Sequence, residues 1–204
     1  MTTSPLLPLT AADLPPLAPE LVLVASAFAL MILDLFVSEK NKIITHLFSV
    51  AALAVVLVML ATGTGGQGEV FHGMFVRDTA ADVMKTVIVL LSGLSLVYGW
   101  SYLRERRLFQ GEIPVLVLFA TAGMMILVSA GSLLMVYLGL ELLALCSYAL
   151  VASNRDSGMA SEAAMKYIVL GSLASGLLLY GMSLIYGATG SLHLDAIREA
   201  IPNS

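Results

Sequence analysis

The sequence predicts an all-α integral membrane protein with six spanning helices, and three observations carry that prediction. Apolar residues make up 59% of the chain and charged residues only 12%, and the mean hydropathy is +0.95, far above that of a soluble domain. Six runs, about 18–37, 43–61, 80–102, 113–130, 132–152 and 161–186, each approach or exceed the ~20 mostly apolar residues that a span requires. Lysine and arginine gather in alternate connections between those runs. A closed β-barrel would show short alternating segments instead of long continuous ones.

The first run follows an outer N-terminal segment, 1–17, that contains Pro5, Pro8, Pro15 and Pro16 and no Lys or Arg. A secretory signal needs a basic start and a short apolar stretch, so this run reads as a span. Lys40 and Lys42 lie between spans one and two, Arg104, Arg106 and Arg107 between three and four, and Arg155 between five and six. The opposite connections hold only Arg77 and Arg198, and Lys85 and Lys166 fall within spans. The positive-inside rule therefore puts the N-terminus outside and the odd-to-even loops in the cytoplasm.

The glycine-rich loop from Gly63 to Gly73 lacks the Lys-Ser/Thr of a phosphate loop and reads as a connector. Small residues three or four apart, Ser95/Gly99 in the third span and Gly171/Ser175 and Ser172/Gly176 in the sixth, are candidates for close helix packing. Gly187 and Gly190 are expected to end the sixth helix. Beyond them, in 187–204, Leu194, Ile197 and Ile201 recur at helical spacing, as at the start of an interfacial helix.

Some functions are excluded at once. A net charge of −4 with charges this sparse leaves no basic surface for nucleic acid. The single cysteine, Cys146, cannot build a disulfide within the chain, a cysteine zinc site or an iron–sulfur cluster. His46, His72 and His193 have no metal-ligand spacing and read as isolated polar residues.

The ionisable residues inside spans point to function. A charge at the centre of a spanning helix costs about 2.5–3.5 kcal/mol on insertion scales, so it faces protein, a partner or water. Glu141 lies about ten residues into the fifth span, near the midplane. Lys166 lies nearer the cytoplasmic face, where it can snorkel or pair with Glu162 four residues earlier. Acid and base in neighbouring spans suggest proton handling, because pairing favours the charged forms that burial disfavours. Asp34 and Lys85 are read either as proton-path groups or as structural ones, and Asp78 and Asp82 as snorkelling or locally paired.

The string FQGEIPVLVLFATAGMMILVSAGSLLMVYLGLELLALCSYALVA, followed by EAAMKYIVLGSLASGLLLYGMSLIYGATGSL, resembles the subunit N family of the bacterial proton-pumping NADH:quinone oxidoreductase, respiratory complex I. The LGLEL and EAAMKY elements carry most of the likeness, which is strong over about 108–195. The resemblance implies six helices of an antiporter-like, inverted-repeat fold, with 18–130 forming spans one to four and 132–186 holding the proton-translocating pair. It implies that Glu141 and Lys166 lie on the proton path, with the glutamate served by a lysine on a broken seventh helix. The chain stops at Ser204, before that helix, so the expectation is a fragment.

The resemblance further implies that NADH, FMN, iron–sulfur clusters and quinone belong to other subunits. The implied partners are the antiporter-like M subunit and the small K/J-type membrane subunits, in the bacterial inner membrane. Two other readings remain: the D-type component of a multi-subunit Na⁺/H⁺ antiporter, and a non-catalytic six-helix scaffold.

Overall fold

The computed structural model describes residues 14–37, 42–105 and 111–200. Pro5, Pro8, Lys40, Arg106, Arg107 and Ile201, on which parts of the sequence-based expectation rest, lie outside the described residues. A short 3₁₀ turn at Pro15–Leu17 leads into α1 (Ala18–Asp34). Then come α2 (Ile43–Ala61), a hairpin of β1 (Gly68–Val70) and β2 (Phe75–Arg77), and α3 (Thr79–Glu105). The chain continues through α4 (Glu112–Val128), α5 (Leu133–Val151), α6 (Gly158–Thr189) and α7 (Leu194–Ala200).

Each predicted span is a helix, and local chemistry sets its ends. Asp78 accepts from the backbone N–H of Ala81 at 2.7 Å and starts α3. Ser132 caps α5 through Met135 N–H at 3.3 Å, and Ser157 starts α6 three residues before the predicted 161. At the other end, Gly187 does not break α6. The helix runs on to Thr189 and stops at Gly190, whose φ of +69° is the left-handed conformation that glycine adopts freely. Arg104 likewise belongs to the last turn of α3 rather than to the following loop.

Among the described residues five helices are long and apolar enough to cross a membrane, namely α1 together with its leading 3₁₀ turn (20 residues), α2, α3, α5 and α6, and α4 is shorter at 17 residues. At 1.5 Å per residue α4 still reaches about 25 Å, at the lower edge of a span. The chain is a multi-pass membrane protein.

The first four helices form a ring. Helix α1 packs on α2 and α4, and α3 packs on the same two, whereas α1 and α3 hardly meet. Leu23, Ala27 and Leu30 of α1, Leu53 and Val56 of α2, Val89 of α3, and Leu118, Ala122 and Met125 of α4 form the buried core. Helix α5 then packs along α4, and α6 reaches the rest chiefly through α5.

The Gly63–Gly73 loop is more than a connector. It carries β1, which pairs antiparallel with β2 in the register Gly68↔Arg77 and Val70↔Phe75. Backbone bonds join this hairpin to the α4–α5 connection, Val76 N–H to Ser129 O and Gly131 N–H to Met74 O, both at 2.8 Å. A further bond from Leu133 N–H to Leu192 O at 2.9 Å brings the α6–α7 connection to the same end. These bonds satisfy backbone groups that the apolar surroundings would otherwise leave unpaired.

Candidate functional site

Glu141 sits near the middle of α5, on a helix fixed by an unusually close approach to α4. A Cβ at Gly123 would lie 2.9 Å from the carbonyl oxygen of Gly139, and a Cβ at Gly139 would lie 2.9 Å from that of Gly123. Only glycine at both positions lets the two backbones meet there. The close crossing of the molecule is therefore α4 with α5. Small-residue spacing pointed instead to the third and sixth spans, but Gly99 and Gly176 face open space. Two isolated glycines on different helices have no period to betray them.

The Glu141 side chain is half-buried. Among the described residues it has no hydrogen bond and no ion pair. It opens into a cavity of about 350 Å³ between α5 and α6, shared with Tyr148, Ser172 and Ser175. Tyr148 reaches this place because Gly171 leaves room for it. A Cβ at Gly171 would lie 1.9 Å from the tyrosine hydroxyl oxygen. The Tyr148 ring also meets Tyr167 edge-on at 4.9 Å. The site thus sets an acidic side chain without a fixed partner in a cavity that three hydroxyl groups also line.

Lys166 does not join Glu141. Its ammonium pairs with Glu162 one helical turn away, and both side chains are about two-thirds exposed. Asp34, at the end of α1, accepts from the Thr45 hydroxyl at 3.1 Å and lies against Gly111 at the start of α4. It lines a cavity of about 530 Å³ with Glu112 and Arg155, which form their own ion pair at 2.6 Å.

Lys85 departs furthest from expectation. It neither snorkels nor pairs with Asp78 or Asp82. Its Nζ lies 2.6 Å from Oε1 of Glu20 on α1, in a pair essentially inaccessible to solvent, and 4.9 Å from the centre of the Phe75 ring. Sequence reasoning missed Glu20. An acid in the first turn of a helix reads as a partner for the helix dipole, although its place in an apolar run opposite an intramembrane lysine was a usable signal. Asp82 instead binds buried Arg77, accepting from Nε at 2.7 Å, while the guanidinium also donates to Thr64 O at 2.9 Å and Pro16 O at 3.4 Å. Arg77, expected as an outer loop charge, is thus an internal brace.

The histidines remain apart. His46 stacks on Trp100 at 4.5 Å, His72 lies in the hairpin turn, and His193 pairs with Ser132 through its backbone. Among the described residues no three of His, Cys, Asp and Glu converge as a metal site.

Known proteins extend this picture. Residues 130–204, which carry Glu141 and Lys166, match the family model described as NADH:quinone oxidoreductase/Mrp antiporter, TM. Among solved structures, a chain of respiratory complex I from Thermus thermophilus with bound aureothin is similar at a TM-score of 0.69 and 30% identity, over 86% of this chain and 38% of that one. A chain of the Mrp complex from Dietzia sp. DQ12-45-1b gives a TM-score of 0.70 over 94% of this chain and 39% of that one, but at 22% identity it speaks for the fold alone. Fold and match together define an antiporter-like membrane protein fold.

The particular relatives are subunits N. The chain is 81% identical over all 204 residues to NADH-quinone oxidoreductase subunit N of Xanthomonas euvesicatoria pv. vesicatoria (strain 85-10). It is 50% identical over 182 residues to the subunit N of Halorhodospira halophila (strain DSM 244 / SL1). The resemblance read from the sequence therefore holds along the whole chain. The chain spans 42% and 38% of those relatives' lengths.

Proposed function

We propose that this chain is the N-terminal part of a subunit N in a proton-translocating NADH:quinone oxidoreductase, coupling electron transfer from NADH to quinone to proton movement across the membrane. The 81% identity to one such subunit carries this reading. The chain contributes no redox centre; NADH, FMN, clusters and quinone belong to other subunits. Its partners are the antiporter-like M and the small K/J-type membrane subunits. It lies in the bacterial inner membrane with the N-terminus outside, an orientation supported by Lys42, Arg104 and Arg155 at one end of the helices. The antiporter alternative is less favoured: the family model spans both classes, but the relatives at 81% and 50% identity are NADH-quinone oxidoreductase subunits, whereas the Mrp chain is 22% identical.

Within that assembly Glu141 is the proton carrier. Its unpaired, half-buried carboxyl beside Tyr148, Ser172 and Ser175 supports this role. Approach of a positive charge favours the carboxylate and releases a proton, and withdrawal favours the neutral acid. Lys166 modulates that field from α6, and the antiporter-like unit is 132–186. Substituting Glu141→Gln keeps size and polarity but removes the titrating oxygen. NADH-driven proton uptake by inverted membrane vesicles should fall at least tenfold at normal subunit content. Unchanged uptake would take Glu141 off the path. Lys166→Arg, which holds charge but scarcely deprotonates, should retain uptake if the lysine acts only as a fixed charge.

A further inference from the structure

The buried pair of Glu20 and Lys85 belongs to no part of this scheme. Intramembrane ionisable residues are by default functional candidates, so a solvent-inaccessible acid–base pair in a proton-moving subunit invites the reading of a second proton station. Its surroundings argue otherwise. The pair lies where α1 and α3, which hardly touch elsewhere, face each other across the ring of four helices. Phe75 of β2 covers the ammonium, and Leu17 and Val70 close the apolar layer beside it.

The electrostatics point the same way. Both carboxylate oxygens of Glu20 and the ammonium of Lys85 lack an aligned hydrogen bond among the described residues, so their 2.6 Å approach is a charge contact with no relay group attached. Of the charged groups nearest Lys85 along the chain, Asp82 on α3 is bound to Arg77 on β2, and Asp78 accepts from the Ala81 N–H at the start of α3. Glu20 stands in the first turn of α1, at the positive end of the helix dipole. The two groups therefore compensate each other, and among the described residues no hydrogen-bonding group links them to another titratable side chain.

We propose that Glu20 and Lys85 form a fixed ion pair that ties α1 to α3 beneath the hairpin, and that Lys85 is a positioning residue outside the proton path. Its place in the bundle depends on mutual charge compensation and not on titration. Removing one partner strands a buried charge, whereas replacing both by apolar groups of like volume removes the need for either.

The test compares Glu20→Gln and Lys85→Met alone with the double variant Glu20→Leu/Lys85→Met and the exchanged pair Glu20→Lys/Lys85→Glu. All are made in the full-length subunit in its complex. Subunit content of the membrane and NADH-driven proton uptake per subunit are both read. Each single variant should lower subunit content severalfold, and at least one double variant should recover content and uptake to within twofold of the parent. A double variant present at normal content but pumping less than a tenth as fast would overturn the proposal and make the pair a proton station. Both doubles remaining as depleted as the singles would also overturn it, since charge compensation would not be what holds the helices. The uptake arm rests on the proposed translocase role. The content arm does not, and the Glu141→Gln variant tests that role separately.

Discussion

Helices α1–α4 and helices α5–α6 treat their charges in opposite ways. In the first group two charged pairs at the hairpin end join different elements, Glu20 of α1 with Lys85 of α3 and Arg77 of β2 with Asp82 of α3. In the second, Glu141 has no partner among the described residues, and Lys166 meets only a residue of its own helix. The first group has a shared core to which each of its helices contributes. Helix α6 buries only Ala164 and Met182 and leaves Leu170, Leu173, Leu177 and Leu184 uncovered. The first group ties its charges between elements, and the second leaves its one intramembrane acid without a partner beside a sparsely covered helix.

The largest expected effect lies at the two lysines. Lys85→Met leaves the Glu20 carboxylate buried alone and should destabilise the subunit by about 3–5 kcal/mol. Lys166→Met breaks an exposed pair one turn apart, and the change should stay within about 1 kcal/mol. Thermal loss of the detergent-solubilised protein measures both. Equal effects would break the contrast between the two groups.

An intermediate effect should mark the border between them. Gly139→Ala sets a methyl 2.9 Å from the Gly123 carbonyl oxygen and 2.9 Å from the Leu127 nitrogen, both backbone atoms that cannot rotate aside. Overpacking of this kind costs about 1–3 kcal/mol. It should also lower proton uptake beyond the loss of subunit, because Glu141 lies two residues further along the displaced helix. Uptake that falls only in proportion to subunit content would mean that the α4–α5 crossing does not position the carboxylate.

How much of this was legible beforehand follows from the range of each signal. The six apolar runs mark six helices because a span must bury about 20 residues in lipid, and the three-residue shift at the start of α6 reflects the Ser157 cap that hydropathy does not register. The hairpin was not legible. Its strands are three residues each, too short for alternation to stand out, and their backbone partners at Ser129 and Gly131 are far along the chain. Glu141 stood out as the lone acid in an apolar helix. That Lys85 has a partner 65 positions away, by subtraction of the number of Glu20 from its own, depends on how α1 and α3 face each other across the ring, which no run of residues encodes.

The smallest expected effect carries the sharpest information about α6. A Cβ at Gly176 meets nothing within 4 Å, unlike one at Gly171, which runs into the Tyr148 hydroxyl. In the structure as described, Gly176→Ala should therefore change stability by no more than about 0.5 kcal/mol, as surface substitutions generally do. The open space around Gly176 exists only while nothing packs on that face. If the same substitution in the assembled complex lowers subunit content severalfold, another helix must press against α6 there, close enough to need the missing methyl. Ser172 and Gly176 would then be a small-residue contact after all, made with a helix beyond this chain's own packing. An unchanged content would leave that face to lipid and put the Glu141 side chain at the edge of the packed region.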